Sequence, residues 1–153
     1  MIDRHAAAED ELIPPAQAIA AIAPLLILAA GPLVDLGFDL PDDLPAVACE
    51  IHAFENAVFN LVTHARGTMP EGGVLLLALA RQGQAVLLHA IDDGPGMSAA
   101  TMAFAFAPGF ALDGHGLGLA AVRRFAERSG GWTEIDSAPG NGTTVTIGLP
   151  AAT

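Results

Sequence analysis

Two glycine clusters, Asp92-Asp93-Gly94-Pro95-Gly96 and Gly114-His115-Gly116-Leu117-Gly118, bracket a short lid-like stretch and constrain this chain more than any other feature. Glycines so spaced let the backbone lie close against a ligand, and a helix that opens out of the second cluster aims free amides and a positive dipole end at an anion. Found together downstream of an asparagine-bearing helix, the two clusters point to a nucleotide. Composition sets the outer bounds. A length of 153 residues suits one domain with one core, and a hydrophobic content of 52% excludes a disordered tail. The formal charge of -11 comes from 17 acidic residues against six arginines, with no lysine. Such a surface repels phosphodiester backbones and anionic lipid, which argues against a nucleic-acid partner and against membrane contact by this domain. A single cysteine, Cys49, rules out an internal disulfide and fits a reducing cytoplasm; with no motif around it, it reads as a small buried apolar side chain.

The apolar stretch from Ala16 to Ala30 is about 15 residues long and interrupted by Pro24, short of the roughly 20 that a membrane span needs, and it lacks the basic flank of a signal peptide. It reads as a helix over 15–30, opened by Pro14-Pro15, bent near Pro24, and apolar nearly all round, so that the domain or another chain must cover it. Residues 1–13 are acidic and read as loose. Leu33 to Leu40 alternates as a strand does, PDDLP at 41–45 is a turn, and 51–69 places Phe54, Val58, Leu61, Val62 and Ala65 at helical spacing. Val74 to Ala80 and Ala85 to Ile91 form a hairpin, Ser98 caps a short helix, and 117–128 is a helix stopped by Gly130-Gly131. Strands at 132–136 and 143–149 flank the turn Pro139-Gly140-Asn141-Gly142.

That order of elements resembles the ATP-binding domain of sensor histidine kinases, a superfamily shared with gyrase, Hsp90 and mismatch-repair ATPases. FENAVFNLVTHARGTMPEGG is similar to the kinase N-box and the hairpin after it, DDGPGM to the first glycine box, GHGLGLAAVRRFAERSGG to the second box with its helix, and SAPGNGTTVTIGLP to the closing strand pair. PAS-type and hybrid sensor kinases, where LPDDLP also precedes the N-box helix, resemble the chain most. The resemblance implies an α/β two-layer sandwich with a mixed sheet covered by helices on one face. It implies an N-terminal extension over 1–24 that holds the start of the apolar helix, and an ATP-binding domain over 25–150. ATP and Mg²⁺ are the implied cofactors.

The implied roles agree with the chemistry of each residue. Asp92, ionised, accepts only, so it suits the exocyclic amine of adenine; the alternative is a turn aspartate that caps the amides of Gly94 to Gly96. Asp93 is expected to face solvent, Gly94 and Gly96 to lie against the base, and Met97 to add a wall. Asn60 matches the family's magnesium ligand, because an amide oxygen is a hard neutral donor and Mg²⁺ takes few protein ligands besides phosphates. His64 follows at i+4 on the same face, where most sensor kinases carry a second asparagine; chemotaxis and anti-sigma kinases share the histidine. Asn56 stands where gyrase-like ATPases and anti-sigma kinases place a glutamate base. Glu55 is rotated by about 100° and cannot replace it. A neutral imidazole needs no such base, so Asn56 favours transfer to histidine over hydrolysis or serine phosphorylation. Gly114, Gly116, Leu117 and Gly118 are expected to hold the triphosphate, with His115 exposed, and Thr143 or Thr144 to help shape the adenine pocket.

Two departures from the family keep other readings open. No lysine or arginine lies between Met97 and Gly114, and Ala107-Pro108-Gly109-Phe110 is a thinned phenylalanine box, which suits a degenerate domain that docks a signalling partner. None of His5, His52, His64, His89 or His115 sits in a phospho-acceptor motif, so the acceptor is expected on a separate histidine-bearing dimerisation domain or another signalling protein. A serine kinase acting on a sigma-factor system is the third reading, favoured by His64 and disfavoured by Asn56.

Overall fold

The computed structural model describes residues 10–107 and 118–152. Five strands form a mixed sheet in the order β2-β4-β5-β7-β6, built from β2 (Val34–Asp39), β4 (Gly73–Gln82), β5 (Ala85–Asp92), β6 (Trp132–Ser137) and β7 (Thr143–Pro150). Only β2 and β4 run parallel, because α2 (Ile51–Thr68) carries the chain over between them; the other pairings are antiparallel and joined through tight turns or through α4 (Gly118–Arg128). Helices α1 (Pro15–Ala30), α2 and α4 cover one face, as a two-layer sandwich requires.

The core forms where the helical and strand periods coincide. Phe54, Val58, Leu61 and Val62 of α2 meet Leu119, Val122 and Phe125 of α4 above Leu75, Leu77, Leu88 and Ile147 of the sheet, all buried. The rings of Phe54 and Phe125 meet edge to face with centroids 6.1 Å apart, an arrangement that contributes on the order of 1 kcal/mol beyond area burial. At the start of α2, the side chain of Glu50 accepts from the amides of His52 and Ala53 and so caps the helix.

Two short elements depart from the sequence expectation. Glu11–Ile13 is a strand, β1, paired antiparallel with β3 (Val47–Cys49), which places Ile13 and Val47 in the core. Tertiary pairing here overrides a polar local composition, and Val47 also bridges Ala151 beyond β7, so that Ile13 and Ala151 meet the same residue. Helix α1 runs through Pro24 unbroken and ends at Gly31, whose amide reaches back to Ile27 and Leu28. Its inner side, Ile19, Ile22 and Leu26, is buried, whereas Leu25, Ile27 and Leu28 stay exposed, so the domain covers only half of this apolar helix. Cys49 is buried, and burial together with the nearby carboxylates of Asp10, Glu50 and Glu11 pushes its thiol up to about 12, which removes it as a nucleophile. Among the described residues no helix is long and apolar enough to cross a membrane.

Candidate functional site

The site begins with a row across the end of the sheet. Register pairs Asp92 with Thr143 and Thr143 with Ser137, so all three side chains point to the helix-covered face. Thr144 points to the opposite face, which leaves Thr143 as the threonine beside Asp92. Ser137 Oγ accepts from the Met97 amide (2.8 Å), donates to the Gly142 carbonyl (2.8 Å) and lies 2.8 Å from Thr143 Oγ1. The Gly140 amide donates to the Pro95 carbonyl at 2.7 Å. The first glycine cluster is therefore fastened onto the β6–β7 turn. Two glycines make this closure possible: Gly96 has φ +75° and a Cβ there would sit 2.0 Å from the Ala138 carbonyl oxygen, while Gly142 has φ +71° and its Cβ would sit 2.1 Å from the Asp92 carbonyl oxygen.

Asp92 is buried at 8% exposure. Burial raises its pKa above the ordinary value, against the pull of hydrogen bonds from the backbone amides of Gly94 and Thr143; the neighbouring Asp93 charge raises it further. Gly94 N–H meets Asp92 Oδ1 at 2.9 Å, so the turn-capping role is real. It does not exhaust the carboxylate, which has about four lone-pair sites. Asp93 is exposed and accepts from Val74 N–H at 2.8 Å, locking the loop to β4.

In front of this row lies a cavity of about 320 Å³ lined by Gly67, Thr68, Pro95, Gly96, Met97, Ser98, Thr101 and Thr143. Asp92 backs it through Thr143 and is not itself part of the lining. Ser98 Oγ accepts from Thr101 N–H at 3.2 Å and caps α3 (Ala99–Met102), as the sequence suggested. A second cavity, of about 730 Å³, shares Gly67 with the first as a lining residue and is lined also by Asn60, Thr63, His64, Arg66, Met69, Gly118 and the α1–β2 loop. Asn60 and His64 thus face one cavity from successive turns of α2, while Asn56, a turn earlier, is exposed and outside the lining. Gly118 opens α4 at its edge; Gly114, His115, Gly116 and Leu117 lie outside the described residues.

Asn60 supplies one neutral oxygen donor, and among the described residues no group of three His, Cys, Asp or Glu could hold a metal. A hard cation carried in by phosphates and water fits this donor set; a protein-built cage does not. Sequence reasoning missed Ser137, Gly67 and Arg66. Ser137 could have been found from register, since it ends β6 opposite Thr143, but a serine before Pro139-Gly140 reads locally as turn chemistry.

Comparison with known proteins matches residues 50–153 to the histidine kinase-, DNA gyrase B- and HSP90-like ATPases. The chain belongs to this family. Among its relatives, the sensor histidine kinase ZraS of Escherichia coli K12 is 30% identical over 119 residues, which cover 76% of this chain and 26% of ZraS. The sensor kinase CckA of Brucella abortus is 31% identical over 145 residues, 82% of this chain and 15% of CckA. The chain therefore spans about a quarter of ZraS and less than a sixth of CckA. In fold it is similar to the mycobacterial sensor histidine kinase MprB (TM-score 0.78, 23% identity, 93% of this chain and 97% of that one). It is likewise similar to full-length ShkA, solved in complex with AMPPNP (TM-score 0.80, 24% identity, 94% of this chain and 31% of that one). The mixed five-stranded sheet under helices is thus the fold of this ATPase family.

Proposed function

We propose that this chain is the ATP-binding catalytic domain of a sensor histidine kinase, which presents the γ-phosphoryl group of Mg-ATP to a histidine on a separate segment or chain. The observation that carries this reading is Asp92: a buried carboxylate at the end of β5, paired with Thr143, behind a glycine loop fastened by Ser137. Adenine fits the smaller cavity, with Gly96 and Met97 against the ring and Asp92, directly or through one water beside Thr143, accepting from the exocyclic amine. Guanine presents a carbonyl there and would leave two acceptors facing each other. The triphosphate runs past Gly67 into the larger cavity, where Asn60 would hold Mg²⁺ and His64 would lie beside the phosphates. Bound there, the metal would neutralise charge on the phosphate oxygens; the chain's own part is to position them. Gly118, at the edge of the larger cavity, would complete the phosphate end together with Gly114, Gly116 and Leu117, which are assigned from their motif positions alone, and Asn56, at the solvent edge of α2, would meet the incoming acceptor. The domain that does this extends beyond 25–150, back through α1 to Glu11, since Ile13 and Ile19 share its core. It works as part of a larger signalling protein on the cytoplasmic side.

Radiolabelled Mg-ATP mixed with the chain and a histidine-bearing dimerisation domain tests this: acid-labile, base-stable label on the acceptor supports transfer to histidine, and acid-stable label assigns the chemistry to serine instead. A second reading, a docking module that has lost nucleotide, draws on one observation. Arg66 is the single lysine or arginine among the described residues lining the two cavities, and its Nη1 is committed to the Ala29 carbonyl at 3.1 Å. Failure to bind Mg-ATP saturably would favour it.

A further inference from the structure

The face of the sheet turned away from the helices carries a pattern of its own. Strands β4 and β5 send Leu75, Leu77, Val86 and Leu88 into the core, so alternation turns Val74, Leu76, Ala78 and Ala80, with Leu87, His89 and Ile91, the other way. A solvated antiparallel face carries polar side chains at such positions. Here the polar residues are His89, which is bonded to Thr146 Oγ1 at 2.8 Å, and Gln82 at the hairpin end of β4. Val74 and Ile91 are 48% and 38% exposed. Charge gathers at the two edges instead: β2 places Asp35 and Asp39 on this face, and β6 places Glu134 and Asp136 there, all four exposed, with no arginine at any outward position. In register, one row reads Asp39, Ala78, His89, Thr146, Glu134, and the next reads Gly37, Leu76, Ile91, Thr144, Asp136.

We infer that this face docks an amphipathic helix of a partner protein, its apolar stripe flanked by lysine or arginine. The two acidic edges stand four strand spacings apart, roughly 19 Å. A helix with its side chains is about 10–12 Å across, so it fits over the uncharged middle strands, its apolar stripe on β4 and β5, and its long basic side chains reach the carboxylates on either side. A second copy of the chain would set carboxylates against carboxylates, and an anionic membrane surface would meet the same repulsion.

Trp132 makes the test direct. It is the single tryptophan in a chain without tyrosine, and its indole lies over Gly148 on this face, where a glycine Cβ would come within 2.4 Å of the ring. The full chain is titrated with a synthetic leucine–lysine amphipathic helix and with its leucine–glutamate counterpart. The basic helix is expected to shift Trp132 emission to the blue saturably, and the acidic helix to leave it unchanged. Asp39→Lys with Glu134→Lys, and separately Leu76→Ser with Ile91→Ser, are expected to weaken binding by about tenfold or more. Asp42→Lys with Asp43→Lys makes the same charge change on an exposed turn and is expected to weaken it by less than about twofold, as is Leu28→Ser on the exposed side of α1. Mg-ATP binding is expected to stay the same in every variant. Equal loss from the two charge swaps, loss from Leu28→Ser, no loss from Leu76→Ser with Ile91→Ser, or equal binding of the acidic helix would overturn the inference.

Discussion

The two ends of the candidate site are built in different ways. At the proposed base end, backbone fixes nearly everything: Asp92, Thr143 and Ser137 are placed by strand register, and the Pro95–Met97 loop is held by hydrogen bonds to Gly140 and Ser137. At the proposed phosphate end, side chains on successive turns of α2 face a cavity more than twice as large, where Arg66 is the single arginine among the described lining residues and turns its Nη1 to a helix terminus. One end is organised before ligand arrives; the other depends on what the ligand brings. In the proposed site, recognition of the base and strength of binding would therefore be separable, and mutations should pull them apart.

The largest effect is expected from Gly96→Ala, which combines a left-handed backbone with a collision against the Ala138 carbonyl. It should lower stability by roughly 2–3 kcal/mol in urea unfolding and abolish nucleotide binding by opening the loop. Asp92→Asn comes next. Losing a buried charged acceptor should cost about 10- to 100-fold in ATP affinity by calorimetry and narrow the preference for ATP over GTP. It should not cost stability. Because burial raises the Asp92 pKa in the folded chain, ionising it opposes folding as pH rises through that raised value, and asparagine removes the penalty. By the same shift, ATP affinity of the native chain should begin to fall on acidification at a higher pH than an ordinary aspartate would give.

Asn60→Ala sharpens the contrast from the other side. It should weaken Mg-ATP by about tenfold while leaving adenosine affinity unchanged, because it touches only the phosphate end. An equal loss for adenosine would mean that the two ends are not independent. The smallest effect is expected from Ser137→Ala. It removes the hydroxyl that links Met97, Gly142 and Thr143, at about 1 kcal/mol of stability and a few-fold of adenine affinity.

What could be read from the sequence follows the same division. The helices over 15–30, 51–69 and 117–128, the hairpin and the closing strand pair all show in periodicity and in Gly/Pro punctuation, because their buried faces are long enough to leave a pattern. β1 and β3 were not legible, since three residues carry no period and their pairing joins positions far apart in the chain. At the site, Asp92, Asn60 and Met97 could be named from motif position. The choice of Thr143 over Thr144 needed the strand register, and the link through Ser137 needed the turn to close in three dimensions. The α1 helix shows the limit of composition: its sequence demands cover all round, and the fold supplies it on one side only.

The central claim is that a preformed base end still gives this chain an adenine nucleotide site. Calorimetric titration of the full chain with ATP, GTP and adenosine, each with and without Mg²⁺, tests it most directly. The account predicts saturable binding of adenosine that is indifferent to metal, tighter binding of ATP when Mg²⁺ is present, and GTP weaker than ATP by about tenfold or more. Absence of saturable adenosine binding, or equal affinity for ATP and GTP, would contradict it.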